Sequence, residues 1–219
     1  GNENVNVIDL PGTYSLYPKS QDEFVTYATL LNPRTKEYPD LIVVVADAAN
    51  LKRNLLFCSQ IIDLKMPVVL ALSMVDIAAK KGVQIDIKGL ERELGVPVVN
   101  INPRKGKGIE DLKKAVLQLK KQTFTPQNNF VSIDTTQHHE VINYLEHELV
   151  GISPYGALHI AASYDQVVFL STEQKSKITD ILTKQPISKS KIQAEEVMAR
   201  YERINQIMRR TVVEPNPLE

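Results

Sequence analysis

Three predominantly apolar runs constrain the fold of this chain more than any other feature. They cover residues 41–46, 68–72 and 96–101, and the last two are entered through prolines. Runs without polar alternation are typical of strands buried on both faces of a parallel sheet. Helical patterns occupy the intervals, at 20–31, 51–64, 87–94 and 109–121. This alternation predicts an α/β domain in which helices flank a parallel sheet.

A fourth strand is predicted at the start of the chain. Residues 5–8 are short and β-branched, and Pro11 and Gly12 follow them as turn residues. Helix boundaries are also marked. Ser20 and Glu23 have capping-box spacing, Asn50 is a candidate N-cap, and Gly95 suits the end of a helix.

The pattern changes near residue 123. Residues 125–129 read as a linker, and strand patterns nearly vanish after it. Helical patterns follow at 136–149, 156–170, 173–184 and 189–211. We therefore predict an α/β domain over 1–123 and a small all-α helical domain over 124–217. The last helix carries an apolar stripe, which we interpret as core, at Ala194, Val197, Met198, Tyr201, Ile204 and Met208.

Bulk composition excludes several classes of protein. The formal net charge is zero, which argues against a nucleic-acid-binding face. The single cysteine, Cys58, has apolar neighbours and is predicted to be a core residue. No apolar run approaches the roughly 20 residues that span a bilayer. Residues 218–219 read as a tag remnant rather than as part of the fold.

Asp9, Leu10, Pro11 and Gly12 form the motif that carries chemistry. An aspartate after a strand can act on a phosphate-bound Mg²⁺ through water, and a nearby glycine lets a backbone N–H approach a phosphate. On its own the motif is weak, because a strand followed by a Pro-Gly turn explains it equally well.

The surrounding residues strengthen the phosphate interpretation. Residues 9–16, with Ser20, Asp22 and Glu23, resemble the third GTPase motif and second switch of ferrous iron transport protein B. Residues 39–55, 67–76 and 94–99 are similar to its later strands and its guanine-reading motif. Residues 131–215 resemble its helical domain. The resemblance implies an incomplete P-loop-type GTPase fold, followed by a helical domain.

The resemblance also implies the site residues. Asp9 would act on Mg²⁺ through water and Gly12 would donate its amide to the γ-phosphate. Asp76 would accept from the N1–H and N2 amine of guanine, in the motif that begins at Ser73 and Met74. The loop of Asn102, Pro103 and Arg104 would approach guanine O6. GTP or GDP and Mg²⁺ are the implied ligands.

Three departures from the family pattern bear on function. No G-x-x-x-x-G-K-[ST] phosphate loop occurs in the sequence, and the first switch is missing as well. Ser73 stands where the family has asparagine, and it cannot make the same contacts with guanine. Pro103 has no N–H to offer guanine O6, although a one-residue shift would let Arg104 donate instead.

The missing loop leads to a structural expectation. In the family fold, the strand before that loop lies between the strands predicted at 4–9 and 41–46. We therefore expect further residues upstream of Gly1, or else direct pairing of the two flanking strands, or a second chain that fills the gap.

Two functional hypotheses remain open. In the first, the chain is the GTP-hydrolysing domain of a bacterial ferrous iron importer. Its partners would be guanine nucleotide and the transmembrane part of the same polypeptide, at the cytoplasmic face of the inner membrane, and a homo-oligomer is allowed. This fragment would bind nucleotide poorly. In the second, it is a non-hydrolysing regulatory module coupled to a membrane partner.

Two weaker candidates lie outside these motifs. His138, His139 and His147 suggest a metal site, but we favour surface histidines because no cysteine is near and the helical face is completed by an asparagine. Asp47 follows a buried strand and is interpreted as a structural cap rather than a ligand.

Overall fold

The computed structural model describes residues 5–122, 126 and 128–215. It divides into two compact units, each built from two stretches of chain. One comprises Gly1–Pro39 and His138–Ile187, and the other comprises Asp40–Gln137 and Ser188–Glu219. The division of the chain at residues 123 and 124 stays a prediction. Residues 125 and 127 of the predicted linker, and the whole tag remnant, lie outside the described residues.

The described elements follow the predicted alternation over the first half of the chain. The strands are β1 (Ile42–Asp47), β2 (Val68–Ser73), β3 (Gln84–Ile85), β4 (Val98–Asn100) and β5 (Val212–Val213). The helices are α1 (Gln21–Leu31), α2 (Leu51–Asp63), α3 (Val75–Lys80), α4 (Ile87–Leu94), α5 (Ile109–Gln122), α6 (His139–Glu148), α7 (Pro154–Ala161), α8 (Thr172–Lys184) and α9 (Lys189–Thr211). Short 3₁₀ turns cover Ala48–Asn50, Pro103–Lys105 and Thr136–His138.

The larger unit is organised by a parallel sheet in the order β1-β2-β4. Register places Val44 beside Leu70 and Leu70 beside Val98. Residues 68–72 of the central strand are fully buried, which confirms the expectation from their unbroken apolar run. The carboxyl ends of all three strands meet at one edge, where parallel α/β sheets present their binding loops.

The strand predicted at 5–8 is wrong. These residues have no regular secondary structure, and Val7 is 89% exposed. β-branched residues favour extended backbone, but a strand also needs a neighbour that satisfies its N–H and C=O groups. Within the larger unit, β1 pairs with β2, and Val45 on β1 is 60% exposed.

Helix α9 lies in the same unit as the sheet and packs against α2 and α4. The apolar stripe predicted as its core is partly wrong, because Met198 is 73% exposed. The buried face is rotated and includes two charged residues; its members are Glu196, Arg200, Ile204, Ile207 and Thr211. Asp63 at the end of α2 pairs with Arg200, which explains how these charges are accommodated.

The smaller unit contains α1, α6, α7 and α8. Ser20 caps α1 by accepting from the Glu23 amide, while the Glu23 carboxylate accepts from Lys19 N rather than completing the predicted box on Ser20. Ser171 and Gln174 form a complete capping box at the start of α8. The helix predicted over 156–170 is shorter, since turn hydrogen bonds take over after Ala161. No helix among the described residues is long and apolar enough to cross a membrane.

Candidate functional site

Asp76 lies just beyond the carboxyl end of the central strand. β2 ends at Ser73, and Met74 then adopts a left-handed conformation with φ of 57°. That reversal starts α3 and places Asp76 in its first turn, where the positive end of the helix dipole favours a carboxylate. The Asp76 side chain remains 43% exposed, so a ligand can reach it.

Two side chains from the loop after β4 converge on the Asp76 carboxylate. Asn102 Nδ2 donates to Asp76 Oδ2 at 3.1 Å. Lys105 Nζ lies 3.5 Å from the same oxygen. Both side chains approach from the neighbouring strand because β2 and β4 are parallel, which brings their following loops together. Asp76 Oδ2 is thus held by two side chains of the neighbouring loop.

The loop that carries Asn102 is internally braced. Asn102 exchanges backbone hydrogen bonds with Lys107, and its Oδ1 accepts from Lys105 N at 3.2 Å. Pro103 opens the intervening 3₁₀ turn, and Arg104 is exposed within it. Gly108 closes the loop at φ +76°, and a Cβ there would lie 2.0 Å from Asn100 O. The loop therefore holds Asn102 in a defined position at the edge of the sheet.

Ser73 and Asp47 occupy the ends of adjacent strands but face local partners. Ser73 Oγ donates to Ala46 O at 3.1 Å, so its hydroxyl ties β2 to β1. Asp47 Oδ1 accepts from Ala49 N at 2.8 Å and Oδ2 accepts from Asn50 Nδ2 at 2.8 Å. These contacts confirm Asp47 as a structural cap. Asn50 precedes α2 as predicted but makes no side-chain capping bond.

Asp9 and Gly12 belong to the other compact unit. Both are exposed, and a Cβ built on Gly12 would meet nothing within 4 Å. Thr26 on α1 donates its hydroxyl to Pro11 O at 2.8 Å, which ties the loop that carries Asp9 and Gly12 to this helix. Their roles toward Mg²⁺ and phosphate stay predictions, as do the roles of Ser73, Met74, Asp76, Asn102, Pro103 and Arg104 toward guanine.

Buried aromatic side chains anchor the chain after Gly12. Tyr17 is buried, with its ring centroid 4.8 Å from that of His159. Tyr27 on α1 donates to His159 O at 3.0 Å, and burial raises the pKa of its phenol well above the usual value. These residues hold the segment against α7 within the smaller unit.

Sequence reasoning missed Lys105 and Thr26. Lys105 lies in a run of basic residues that reads as solvated surface, and its approach to Asp76 depends on strand pairing between residues far apart in sequence. Thr26 lies in a helix whose pattern predicts only packing. Among the described residues, no group of three or more His, Cys, Asp or Glu could hold a metal ion.

The three-stranded parallel sheet, with an aspartate beyond its central strand and a braced loop beside it, has the P-loop GTPase fold. Solved structures similar to this chain include G domains and cytosolic domains of FeoB proteins. One is the cytosolic domain of the T. maritima FeoB iron transporter in its GMPPNP form, at 26% identity and TM-score 0.68, covering 94% of this chain and 79% of that one. Another is the cytosolic domain of L. pneumophila FeoB, at 29% identity and TM-score 0.69 with the same coverage. A GDP-bound variant of the S. thermophilus FeoB G domain matches with TM-score 0.72 and 26% identity, covering 94% and 80%.

The family model described as ferrous iron transport protein B matches residues 1–116, and the chain belongs to that family. The Fe(2+) transporter FeoB of Leptospira biflexa is 39% identical over 112 residues, which cover 51% of this chain and 16% of the relative. The Salmonella typhimurium transporter is 41% identical over 112 residues, covering 51% and 14%. The matched part is thus a small fraction of these relatives.

Proposed function

We propose that this chain is the guanine-nucleotide-sensing part of a bacterial ferrous iron transporter, and that Asp76 reads the base. The observation that carries the proposal is the Asp76 carboxylate beyond the central strand, held at Oδ2 by the Asn102 amide. A carboxylate can accept from both the N1–H and the N2 amine of guanine, whereas adenine supplies no such donor pair. The base would meet an acceptor that is already oriented.

Lys105 lowers the affinity for guanine that we expect of Asp76. Its ammonium shares Asp76 Oδ2 with Asn102, and both Lys105 and Asp76 are substantially exposed. An exposed pair of this kind contributes about 0–1 kcal/mol and is weakened by salt. Guanine binding would displace Lys105, while the Asn102 amide could keep its hydrogen bond. Lys105 would therefore reduce affinity modestly without changing which base is preferred.

We further propose that this fragment binds nucleotide weakly. Ser73 uses its hydroxyl on Ala46 O, and its side chain is too short to supply the amide contacts of an asparagine. Each missing hydrogen bond at a buried ligand group costs about 1–3 kcal/mol. Pro103 offers no N–H to the base. The sequence also contains no Walker-type phosphate loop to hold the β- and γ-phosphates.

Asp9 and Gly12 are the proposed contacts to Mg²⁺ and the γ-phosphate. One exposed carboxylate fits Mg²⁺, which keeps several waters and takes few protein ligands alongside phosphate oxygens. The Pro11 carbonyl accepts a hydrogen bond from Thr26, so movement of this loop would be transmitted to α1. In the whole transporter, Mg²⁺ would neutralise phosphate charge during GTP hydrolysis, and the hydrolysis would regulate Fe²⁺ uptake through a membrane-embedded part.

A non-hydrolysing regulatory module is the second candidate. It is favoured by the same departures at Ser73 and Pro103, which remove guanine contacts without disturbing the surrounding fold. In that case the chain would respond to its membrane partner rather than to the nucleotide, at the cytoplasmic face of the membrane.

Titration of the purified chain with fluorescent GDP and ADP analogues separates the candidates. We expect GDP to bind with a Kd well above the micromolar range but about fivefold or more tighter than ADP, from at least one hydrogen bond of about 1 kcal/mol. Asp76→Asn should shift preference toward a xanthosine diphosphate analogue, because an amide donates where the carboxylate accepts. Equal affinity for GDP and ADP would refute Asp76 as the guanine reader, and tight GDP binding would refute the claim of impairment.

A further inference from the structure

A groove in the larger unit lies between the start of α2 and the last turns of α9. Its main cavity has a volume of about 620 Å³. A second cavity of about 430 Å³ shares Lys52, Met208, Val212 and Glu214 with it, so the two form one continuous depression. Small-molecule sites commonly occupy about 300–1,000 Å³. We call this depression the basic groove.

The floor of the basic groove is apolar. Ala49, Val83, Tyr201, Met208 and Val212 line it, and each is only half-buried. These side chains come from the turn before α2, the segment before β3, helix α9 and strand β5. An apolar ligand surface laid on them would be removed from water together with the exposed parts of the five side chains, which favours binding.

The rim of the basic groove is cationic. Lys52, Arg53 and Arg209 line it, against the single carboxylate of Glu214. Lys52 reaches across from α2, with Nζ 5.9 Å from the Tyr201 ring centroid. Lys52 and Arg209 share the lining with Glu214, and neither forms an ion pair within the described part of the chain. Two ammonium or guanidinium groups are thus available to an anion.

The walls of the basic groove are fixed by the backbone. β5 pairs with β3 in antiparallel register, Gln84 with Val213 and Ile85 with Val212. Asp86 N donates to Thr211 O at 2.7 Å, next to this pairing. Gly82 packs so closely on Pro215 that an added Cβ would lie 3.0 Å from its Cβ. A site of this kind is largely formed before a ligand arrives, which lowers the entropic cost of binding.

We propose that the basic groove is a binding site for a small amphipathic organic anion. Its apolar body would lie on Tyr201, Met208 and Val83, and its carboxylate, phosphate or sulfonate would meet Lys52 and Arg209. This site is separate from Asp76 and the loop at Asn102, and it does not depend on nucleotide binding. The apolar floor selects for an organic body, and the rim selects for negative charge.

The test uses 8-anilinonaphthalene-1-sulfonate, an aromatic anion whose fluorescence rises in apolar sites. The purified chain, labelled with ¹³C at its methionine methyl groups, is titrated and followed by fluorescence and NMR. We expect one-to-one binding that shifts the Met208 methyl signal and leaves Met74 and Met198 unmoved; the last two are 44% and 73% exposed and lie outside the groove lining.

Charge reversal supplies the specificity control. Lys52→Glu and Arg209→Glu should each weaken binding about two- to tenfold, and the effect should shrink at high salt. Lys177→Glu, an exposed lysine on α8, makes the same change in net charge and should leave affinity unchanged. Absence of binding, an unmoved Met208 signal, or undiminished affinity in both groove variants would overturn the proposal.

Discussion

Replacing Arg200 by methionine tests the buried ion cluster that joins α2 to α9. Arg200 is 0% exposed, with Nη2 2.7 Å from Asp63 Oδ2 and Nε 2.7 Å from Glu196 Oε1. Both carboxylates are themselves buried. Methionine keeps most of the side-chain volume but removes the charge, so the substitution isolates the electrostatic contribution from cavity formation.

The expected loss of stability depends on the hydrogen bonds that Asp63 and Glu196 keep once Arg200 is replaced. Removing one partner of a buried ion pair costs about 3–5 kcal/mol, because an unpaired charge remains in a low-dielectric interior. Glu196 would retain the amide of Gln60 at 2.8 Å. Asp63 would retain the backbone amides of Phe130 and Val131. These donors partly solvate the orphaned charges, so we expect a loss near the lower end, about 3 kcal/mol.

Urea unfolding monitored by far-ultraviolet circular dichroism measures this loss. Arg209→Met on the same helix is the matched control, because Arg209 is exposed and should change stability by no more than about 0.5 kcal/mol. Adding Glu196→Gln to Arg200→Met should recover part of the loss, since it removes one unpaired charge. A loss below about 1 kcal/mol for Arg200→Met would refute the argument that the cluster is tightly coupled to the fold.

Three further predictions concern single positions. Gly108→Ala should destabilise the chain by more than about 2 kcal/mol in urea unfolding, because the new Cβ would clash with Asn100 O. Gly106→Ala is the control, because a Cβ there meets nothing within 4 Å and adds only backbone strain. Burial raises the pKa of the Cys58 thiol to about 12, so the native thiol should resist a thiol-specific disulfide reagent at pH 8. The free energy of unfolding should fall as pH rises above 9, because the thiol then ionises in the unfolded chain but not in the folded one. Ser171→Ala should lower the melting temperature through loss of about 1 kcal/mol of capping, and equal melting temperatures would contradict the capping box.

The three-stranded parallel sheet can be predicted because each of its strands is marked by its own apolar run in the sequence. An unbroken apolar run such as residues 68–72 has few alternatives to a strand buried on both faces. Gly95 ends α4 in the left-handed conformation that its position predicted. The short β3 and β5 strands could not be foreseen in the same way. Their two-residue pairing depends on where α9 ends, and no periodic pattern covers so few residues.

The wrong predictions at residues 5–8 and on α9 share a physical cause. Both were drawn from local side-chain preference, without the residues that would have to pair with these segments. Residues 5–8 have strand-forming side chains, yet their backbone lacks regular pairing. On α9 the apolar stripe suggested that Met198 faces the core, but the helix is instead oriented by Arg200 and Glu196. A buried arginine is costly unless its carboxylate partners are already in place, and those partners lie far apart in sequence.

The proposed guanine site depends on the same kind of long-range placement. Asp76 can be recognised from its motif, but its orientation is set by Asn102 and Lys105, which arrive only when β4 pairs with β2. Asn102 is itself held by Lys105 N and Lys107. A substitution in this loop would therefore change base recognition without touching the base, by releasing Asp76 Oδ2. Departures such as Pro103 should accordingly be judged by their effect on the loop as well as by the contact they remove.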